Sequence, residues 1–362
     1  MPRYRSIKDL DWFLLVVTLA ICALGVLQIY SATHGTKFED AWWKQIIWIG
    51  LGLGLMWLVA SVDYHTLLGQ VGFFYVSTVA ALAFTVLVGV RIFGSRRWIS
   101  IAGVNFQISE FAKLVIILMV ARYLSELKRN EVSIGDLLKL GALVGIPTLL
   151  VMKQPDLGTS LTYVAILGAG ILLAGLRWHH LAAIALVAGL SLPLAWPFLN
   201  DYQRGRLETF VNPDADPKGR GYQVIQSRIA VGHGGMWGTG VTQGTQTQLH
   251  FLPVTHTDFI FSSFAEEHGF VGVVVVLGLY FLLFMQIVQN AQAAPDRSGM
   301  YICMGVAALL LFHLFVNVGM VVGSMPVTGI PLPLMSAGGS NMFSVFMMLG
   351  LVNNVRLRRF AS

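Results

Sequence analysis

Residues 256–290 read HTDFIFSSFAEEHGFVGVVVVLGLYFLLFMQIVQN. The first part sets Asp258, Glu266, Glu267, His256 and His268 close together, and from Phe270 to Ile287 no charged residue follows. A helix crossing a bilayer needs about twenty predominantly apolar residues. The stretch therefore reads as a titratable segment running straight into a membrane helix, and the rest of the chain follows the same grammar.

Of the 362 residues, 56% are hydrophobic and only 12% are charged, with a mean hydropathy of +0.70. Soluble domains carry about 25% charged residues. Apolar runs of spanning length fall near 12–32, 43–61, 68–90, 108–124, 137–152, 157–175, 180–199, 268–288, 300–323 and 331–353. The expected fold is an all-α polytopic membrane protein of about ten transmembrane helices, a single domain over 1–362. One long extracytoplasmic loop, residues 200–267, lies between the seventh and eighth spans. Its recurring aromatics (Tyr202, Phe210, Tyr222, Trp237, Phe251) predict short helices against the outer face rather than a structureless connection. The stretch from Trp12 to about Ala32 lacks an A-x-A site and reads as an uncleaved first span.

Short loops fix the orientation. With the N-terminus inside, Arg3, Arg5, Lys8, Lys128, Arg129, Arg177, Arg297, Arg356, Arg358 and Arg359 are cytoplasmic, and both basic termini share that side. The formal charge of +6 is scattered between apolar runs without a basic stripe, which argues against a nucleic-acid partner. Cys22 and Cys303 lie inside apolar runs and form no disulfide framework.

Several constellations are candidates for chemistry. On a helix at about 100° per residue, Asp258, Ser262 and Glu266 fall within an arc of roughly 80°. Capping explains one early acid, but not three acids with two histidines. SEFAKL places Glu110 and Lys113 at i and i+3, as an ion pair between helices or as part of a charged pathway. RIFGSRRWISIAGVNFQ carries Arg91, Arg96, Arg97 and Trp98 on the outer side, against the positive-inside tendency. Those arginines suit an external phosphate and Trp98 a sugar or isoprenoid, with interfacial anchoring as the other reading. Asp156 in QPDLGTS is either an N-cap or a second cavity carboxylate. MPVTGIPLPLMSAGGSN, residues 325–341, breaks an apolar segment with prolines and a Gly-Gly pair; it is either a kinked helix start or irregular backbone lining a cavity. A G-x-x-x-x-G-K-[ST] loop, zinc-type His/Cys spacing and a G-x-S-x-G elbow are all missing. No nucleotide or organic cofactor is expected. A cavity open to the outside, with carboxylates and cations, suits a lipid-linked anionic substrate.

In this order, RRWISIAGVNFQISEFAKL, QPDLGTSL, GYQVIQSRIAVGHGGMWGTG, GTQTQLHFLPVTHTDFIFSSFAEEHG and PVTGIPLPLMSAGGSN resemble the SEDS family of cell-wall polymerases over nearly the whole chain. The PVTGIPLPL and QSRIAVGHGG stretches resemble its elongation branch more than its division branch. The resemblance implies a peptidoglycan glycosyltransferase of the bacterial cytoplasmic membrane, polymerising lipid II, the undecaprenyl-pyrophosphate-linked disaccharide peptide, at the outer face. It implies a class B penicillin-binding protein, a transpeptidase of the penicillin-binding protein 2 type, as partner, with other elongation-machinery proteins. By the same likeness Asp258 is the catalytic residue, expected as general base or metal-held orienter, Glu110, Lys113 and Asp156 match polar positions of a central cavity, and Arg206 and Trp98 match outer-face positions. Together with Arg96, Arg97 and Glu266 from the residue patterns above, these five are expected to bind substrate. Ile108, His250, Val254, His268 and Ala337 depart from the family pattern. The leaving diphosphate calls for cations: Lys113, Arg96, Arg97 or a divalent ion such as Mg or Mn, whose ligands the sequence leaves open. A lipid II flippase and a scaffold activating a penicillin-binding protein are the rival expectations. Glu267 projects roughly opposite Asp258 on such a helix and is expected to be structural.

Overall fold

A computed structural model of the chain describes residues 10–359, apart from 93–94, 102–103, 128–130, 177–178, 181, 183–185, 187–188, 190–195, 199–200 and 220. In chain order, α1 (Trp12–Thr33), α2 (Ala41–Ser61), a short α3 (Tyr64–Gly69) and α4 (Val71–Val88) lead to three strands. These are β1 (Val90–Ile92), β2 (Ser95–Ile101) and β3 (Val104–Phe106), followed by α5 (Ile108–Glu126), α6 (Ile134–Met152) and α7 (Leu157–Leu173). The long connection contributes α8 (Asp201–Val211), α9 (Tyr222–His233) and α10 (Thr245–Gln248). The bundle closes with α11 (Ile260–Gln292), α12 (Arg297–Val321) and α13 (Gly339–Arg358).

Among the described residues, six helices, α1, α2, α4, α6, α11 and α12, are long and apolar enough to cross a membrane. The apolar α7 is shorter, at 17 residues. More polar are α5, with Glu110, Lys113, Arg122 and Glu126, and α13, with three asparagines and two arginines. The seventh predicted span, 180–199, falls largely outside the described residues. Within the third, 68–90, the chain is divided between α3 and α4, because Gln70 ends one helix and begins the next. The tenth starts as helix only at Gly339, and residues 331–338 before it are irregular. The basic loop between α4 and α5 is not plain coil either: β1, β2 and β3 form an antiparallel sheet in that order, with Arg91 opposite Arg96 and Ile99 opposite Phe106.

The long α11 is broken at Gly269, whose φ of +63° lies in the left-handed region that favours glycine. A break inside a membrane helix frees backbone groups that need new partners. The turn at 235–240 supplies them: the Phe270 amide donates to Gly235 O at 2.9 Å, and the Thr239 and Gly240 amides donate to Glu266 O and Glu267 O, both at 3.0 Å. Only glycines permit so close an approach. A Cβ on Gly269 would sit 2.2 Å from Gly238 N, and one on Gly238 would sit 2.1 Å from Glu267 O. The long connection is thereby riveted to the bundle.

At the other end of the bundle, buried Asp11 gathers three helices. Its Oδ1 caps α1 through the Leu14 amide (3.0 Å), and its Oδ2 accepts Gln286 and Asn290 of α11 at 2.7 Å each and Arg356 of α13 at 3.0 Å. Removing one member of such a cluster leaves buried polar groups without partners, at a cost of about 3 kcal/mol. Asp11→Ala is expected to lose stability on that scale in detergent-solubilised protein, read as a lower midpoint of unfolding; an unchanged midpoint contradicts the assignment.

Candidate active site

Asp258 is set in place by its backbone. Because α11 begins at Ile260, Asp258 precedes the helix instead of riding on it, and the helical arc with Ser262 and Glu266 does not apply. Residues 256–258 lie against the second irregular segment. Ala337 N donates to His256 O (2.9 Å) and Ser336 Oγ to Thr257 O (2.7 Å). From α12, Asn317 Nδ2 donates to both Asp258 O (2.9 Å) and Ile330 O (2.8 Å). One buried amide thus holds the two segments together. Val254 and Leu334, both with positive φ (56° and 67°), lie on these same segments. Such left-handed backbone costs a branched residue on the order of 1–3 kcal/mol and persists only where the surroundings enforce it.

Charge gathers around this point from distant parts of the sequence. Gly329, at φ +73°, leaves open a space where a Cβ would be 3.3 Å from Asp258 Oδ2 and 3.8 Å from both terminal nitrogens of Arg206. Asp258 as a whole residue is half-buried. Burial pushes its pKa above the usual carboxylate range. The Arg206 guanidinium and the Thr257 hydroxyl pull it back, Asp156 pushes it up, and Arg97 pulls it down. His256, partly enclosed with its ring centroid 4.9 Å from that of Phe38, is held below the ordinary histidine value by burial.

The other predicted residues divide by what they touch. Asp156 caps α7 by accepting the Thr159 amide (3.1 Å), takes a hydrogen bond from Gln107 (3.0 Å) and lies 3.6 Å from Arg97. Arg97 donates to Gln154 O (2.9 Å) and to Pro155 O, which fixes the turn into α7. Exposed Arg96 reaches back to Leu87 O in the last turn of α4 (3.1 Å). Trp98, half-buried, pairs with Val90 in the sheet. Glu110 and Lys113 form a fully enclosed ion pair at 2.6 Å. Lys113 Nζ is 3.5 Å from His313 Nε2, and that nitrogen is 3.3 Å from Thr162 Oγ1. His313 lies one turn before Asn317 on α12, so this polar core and the Asp258 clamp share a helix.

Glu266 faces elsewhere. Fully buried, it accepts the Gln246 and Thr247 amides (2.8 and 3.0 Å) and the Thr247 hydroxyl (2.7 Å), with His233 Nδ1 at 3.3 Å. It anchors the first turn of α10. Glu267 is tied to α1 through Ser31 and Gln28 (3.1 Å), in keeping with the structural part expected of it. Asn317, Ser336, Gly329 and His313 went unnoticed in the sequence. Asn317 and His313 carried a signal, since a polar residue deep in a spanning helix is rarely idle.

The sequence model of the FtsW/RodA/SpoVE cell cycle proteins matches residues 11–360. The chain belongs to this family. The peptidoglycan glycosyltransferase MrdB of Escherichia coli K12 is 38% identical over 366 residues, covering 99% of this chain and 97% of its own. The peptidoglycan glycosyltransferase RodA of Treponema pallidum is 32% identical over 433 residues, covering 99% and 100%. Among solved structures, a chain from work on the structural coordination of polymerization and crosslinking by a peptidoglycan synthase complex superimposes with a TM-score of 0.85 at 35% identity, covering 98% of this chain and 99% of that one. The rod shape determining protein RodA of Thermus thermophilus gives a TM-score of 0.73 at 31% identity, covering 97% and 98%.

The Glu266 cluster makes a direct prediction. Glu266→Ala orphans two buried amides and is expected to cost about 3 kcal/mol, with faster proteolysis within 235–250. Wild-type resistance to protease in that segment contradicts the anchoring role.

Proposed function

We propose that this chain, a peptidoglycan glycosyltransferase of the membrane, polymerises lipid II at the outer face of the bacterial cytoplasmic membrane, with Asp258 as general base. The carrying observation is a half-buried aspartate, fixed by backbone hydrogen bonds on both sides, whose carboxylate meets Arg206 beside Gly329. The acceptor sugar hydroxyl gives its proton to Asp258 as its oxygen bonds to the donor's anomeric carbon. The bond from that carbon to the lipid diphosphate breaks, and its electron pair leaves with the diphosphate. A carboxylate with a raised pKa is better matched to proton transfer near neutrality than an ordinary one. Holding it within a fraction of an ångström of its working position is the other half of the catalysis.

Orientation follows from the ends of the helices. Asp11 and Arg356 mark the end with the basic termini, read as cytoplasmic, and α11 and α12 carry Asp258 and Asn317 at the opposite end, read as external. In this reading the bundle has about ten spans and 200–267 is its outer loop. Among the described residues no three His, Cys, Asp or Glu gather as metal ligands. Mg²⁺ is commonly held by one or two carboxylates together with substrate phosphates. Asp258 would be the carboxylate to hold such an ion, whose charge would offset that of the diphosphate. The partner is a transpeptidase of the class B penicillin-binding type, acting in elongation. Support comes from the likeness to a chain of a synthase complex that couples polymerization to crosslinking.

Reconstitution in liposomes separates this reading from a flippase. Glycan product from externally added lipid II supports it, whereas movement of labelled lipid without polymer would overturn it. The pH dependence adds a signed prediction. The base works ionised, so the rate rises with pH through a value above the usual carboxylate range. Arg206 lowers that value, so Arg206→Ala is expected to move the acid limb of the profile to higher pH. A limb that stays put or moves to lower pH counts against Asp258 as the titrating group.

A further inference from the structure

A cleft of about 840 Å³ opens between the helices of the long connection and the segment after α12, and Arg206, which meets Asp258 beside Gly329, is part of its lining. The α8 wall presents Arg206 and Phe210, four residues apart and so on one helix face. Opposite, α9 is held rigidly: Ser227 Oγ lies 2.8 Å from Ser262 Oγ and donates to Val321 O at 2.8 Å. That places the next residue, Arg228, on the cleft wall, its stem crossing Gly323 so closely that a Cβ there would be 3.1 Å from Arg228 Cδ. Lys218 stands on the rim, and Met325 and Val327 form an apolar floor leading to Gly329 and Asp258. Lys218 and Arg228 are both exposed. Among the described residues lining the cleft, the three cations face a single carboxylate, Asp216, which accepts the Gly219 amide (3.0 Å).

The cations the sequence offered for the leaving group are occupied elsewhere. Arg96 holds the end of α4, Arg97 holds the turn at Asp156, and Lys113 is paired with Glu110 inside the bundle. A diphosphate next to an isoprenoid chain needs adjacent cations and apolar surface. Arginine and lysine bind phosphate oxygens by charge-assisted hydrogen bonds, and the floor suits the first isoprene units.

We infer that this cleft is the seat of the donor's lipid diphosphate, with Lys218 and Arg228 holding the phosphates and Met325 and Val327 the adjoining isoprene. The inference rests on the reading of Asp258 as base, because it puts the leaving group on the far side of Arg206 from the acceptor hydroxyl. As the bond to the anomeric carbon breaks, the charge gained by the diphosphate falls among these cations, which stabilise it as it develops.

The test uses the full chain in nanodiscs of zwitterionic lipid, with farnesyl diphosphate as probe and farnesol for comparison. Farnesyl diphosphate is expected to bind more tightly than farnesol. Arg228→Ala and Lys218→Ala are each expected to weaken diphosphate binding about tenfold, the scale of one charge-assisted hydrogen bond, and to leave farnesol binding unchanged. Arg228→Lys, which keeps the charge, is expected to recover most of the loss, which excludes simple misfolding. Diphosphate binding indifferent to both alanine substitutions overturns the assignment. Displacement of the probe by phosphatidylglycerol at equal affinity also overturns it, since the cleft would then be a general anionic-lipid seat. Asp258→Asn, measured in metal-free buffer so that no ion links residue 258 to the probe, separates the two readings: it is expected to bind the probe as wild type does. Wild-type binding with undiminished polymerisation by that variant would remove the base assignment and leave the cleft supported.

Discussion

Backbone that leaves the helix inside a packed bundle must find its hydrogen bonds in protein, and this requirement organises the site. Among the described residues, two irregular segments meet at the site, one around 254–259 and one around 325–338, and neither satisfies itself completely. They satisfy each other, with Asn317 bridging from α12 to a carbonyl on each side and Ser336 and Ala337 closing the pairing. Asp258 is the residue whose carboxylate this mutual pairing leaves beside Gly329 and Arg206. The position of the carboxylate is thus a consequence of backbone accounting, and the left-handed Val254 and Leu334 are its local cost.

The remaining polar groups of the bundle serve that arrangement at increasing distance. Asp156, Gln107 and Arg97 tie the start of α7 to the strand region and set the electrostatic background of Asp258. Glu266 and Glu267 fasten the long connection to α11 and α1, and the Gly238–Gly269 contact lets the chain approach closely enough for them to do so. With the connection fastened, α8 and α9 become a fixed wall of the cleft instead of a mobile flap. Arg206, Lys218 and Arg228 line that cleft.

Much of this was legible in the sequence, in unequal measure. Helices α1, α2 and α12 follow directly from hydropathy, and the prolines of 326–333 announced irregular backbone. The division at Gln70 and the start of α13 at Gly339 were hidden, because apolar content carries no mark of where a helix begins. Glu266 was misplaced by extending helical phase back through Phe259 to Asp258, two residues that lie outside the helix. The meeting of Arg206, Asp258 and Asp156 leaves no trace in spacing, since these groups come from separate parts of the chain. Asn317 was visible as a polar residue in an apolar span, but its partners are carbonyls, which sequence does not distinguish.

The central claim is that the Asp258 carboxylate accepts the acceptor's proton. The most direct measurement is glycan polymerisation from lipid II by purified Asp258→Asn protein, at equal concentration and with wild-type unfolding behaviour. The amide keeps the size of the side chain and cannot take up the proton, so the account predicts loss of polymer by at least about a hundredfold, the lower end of what positioned acid–base groups contribute. Polymer formed at the wild-type rate by the folded variant would contradict it.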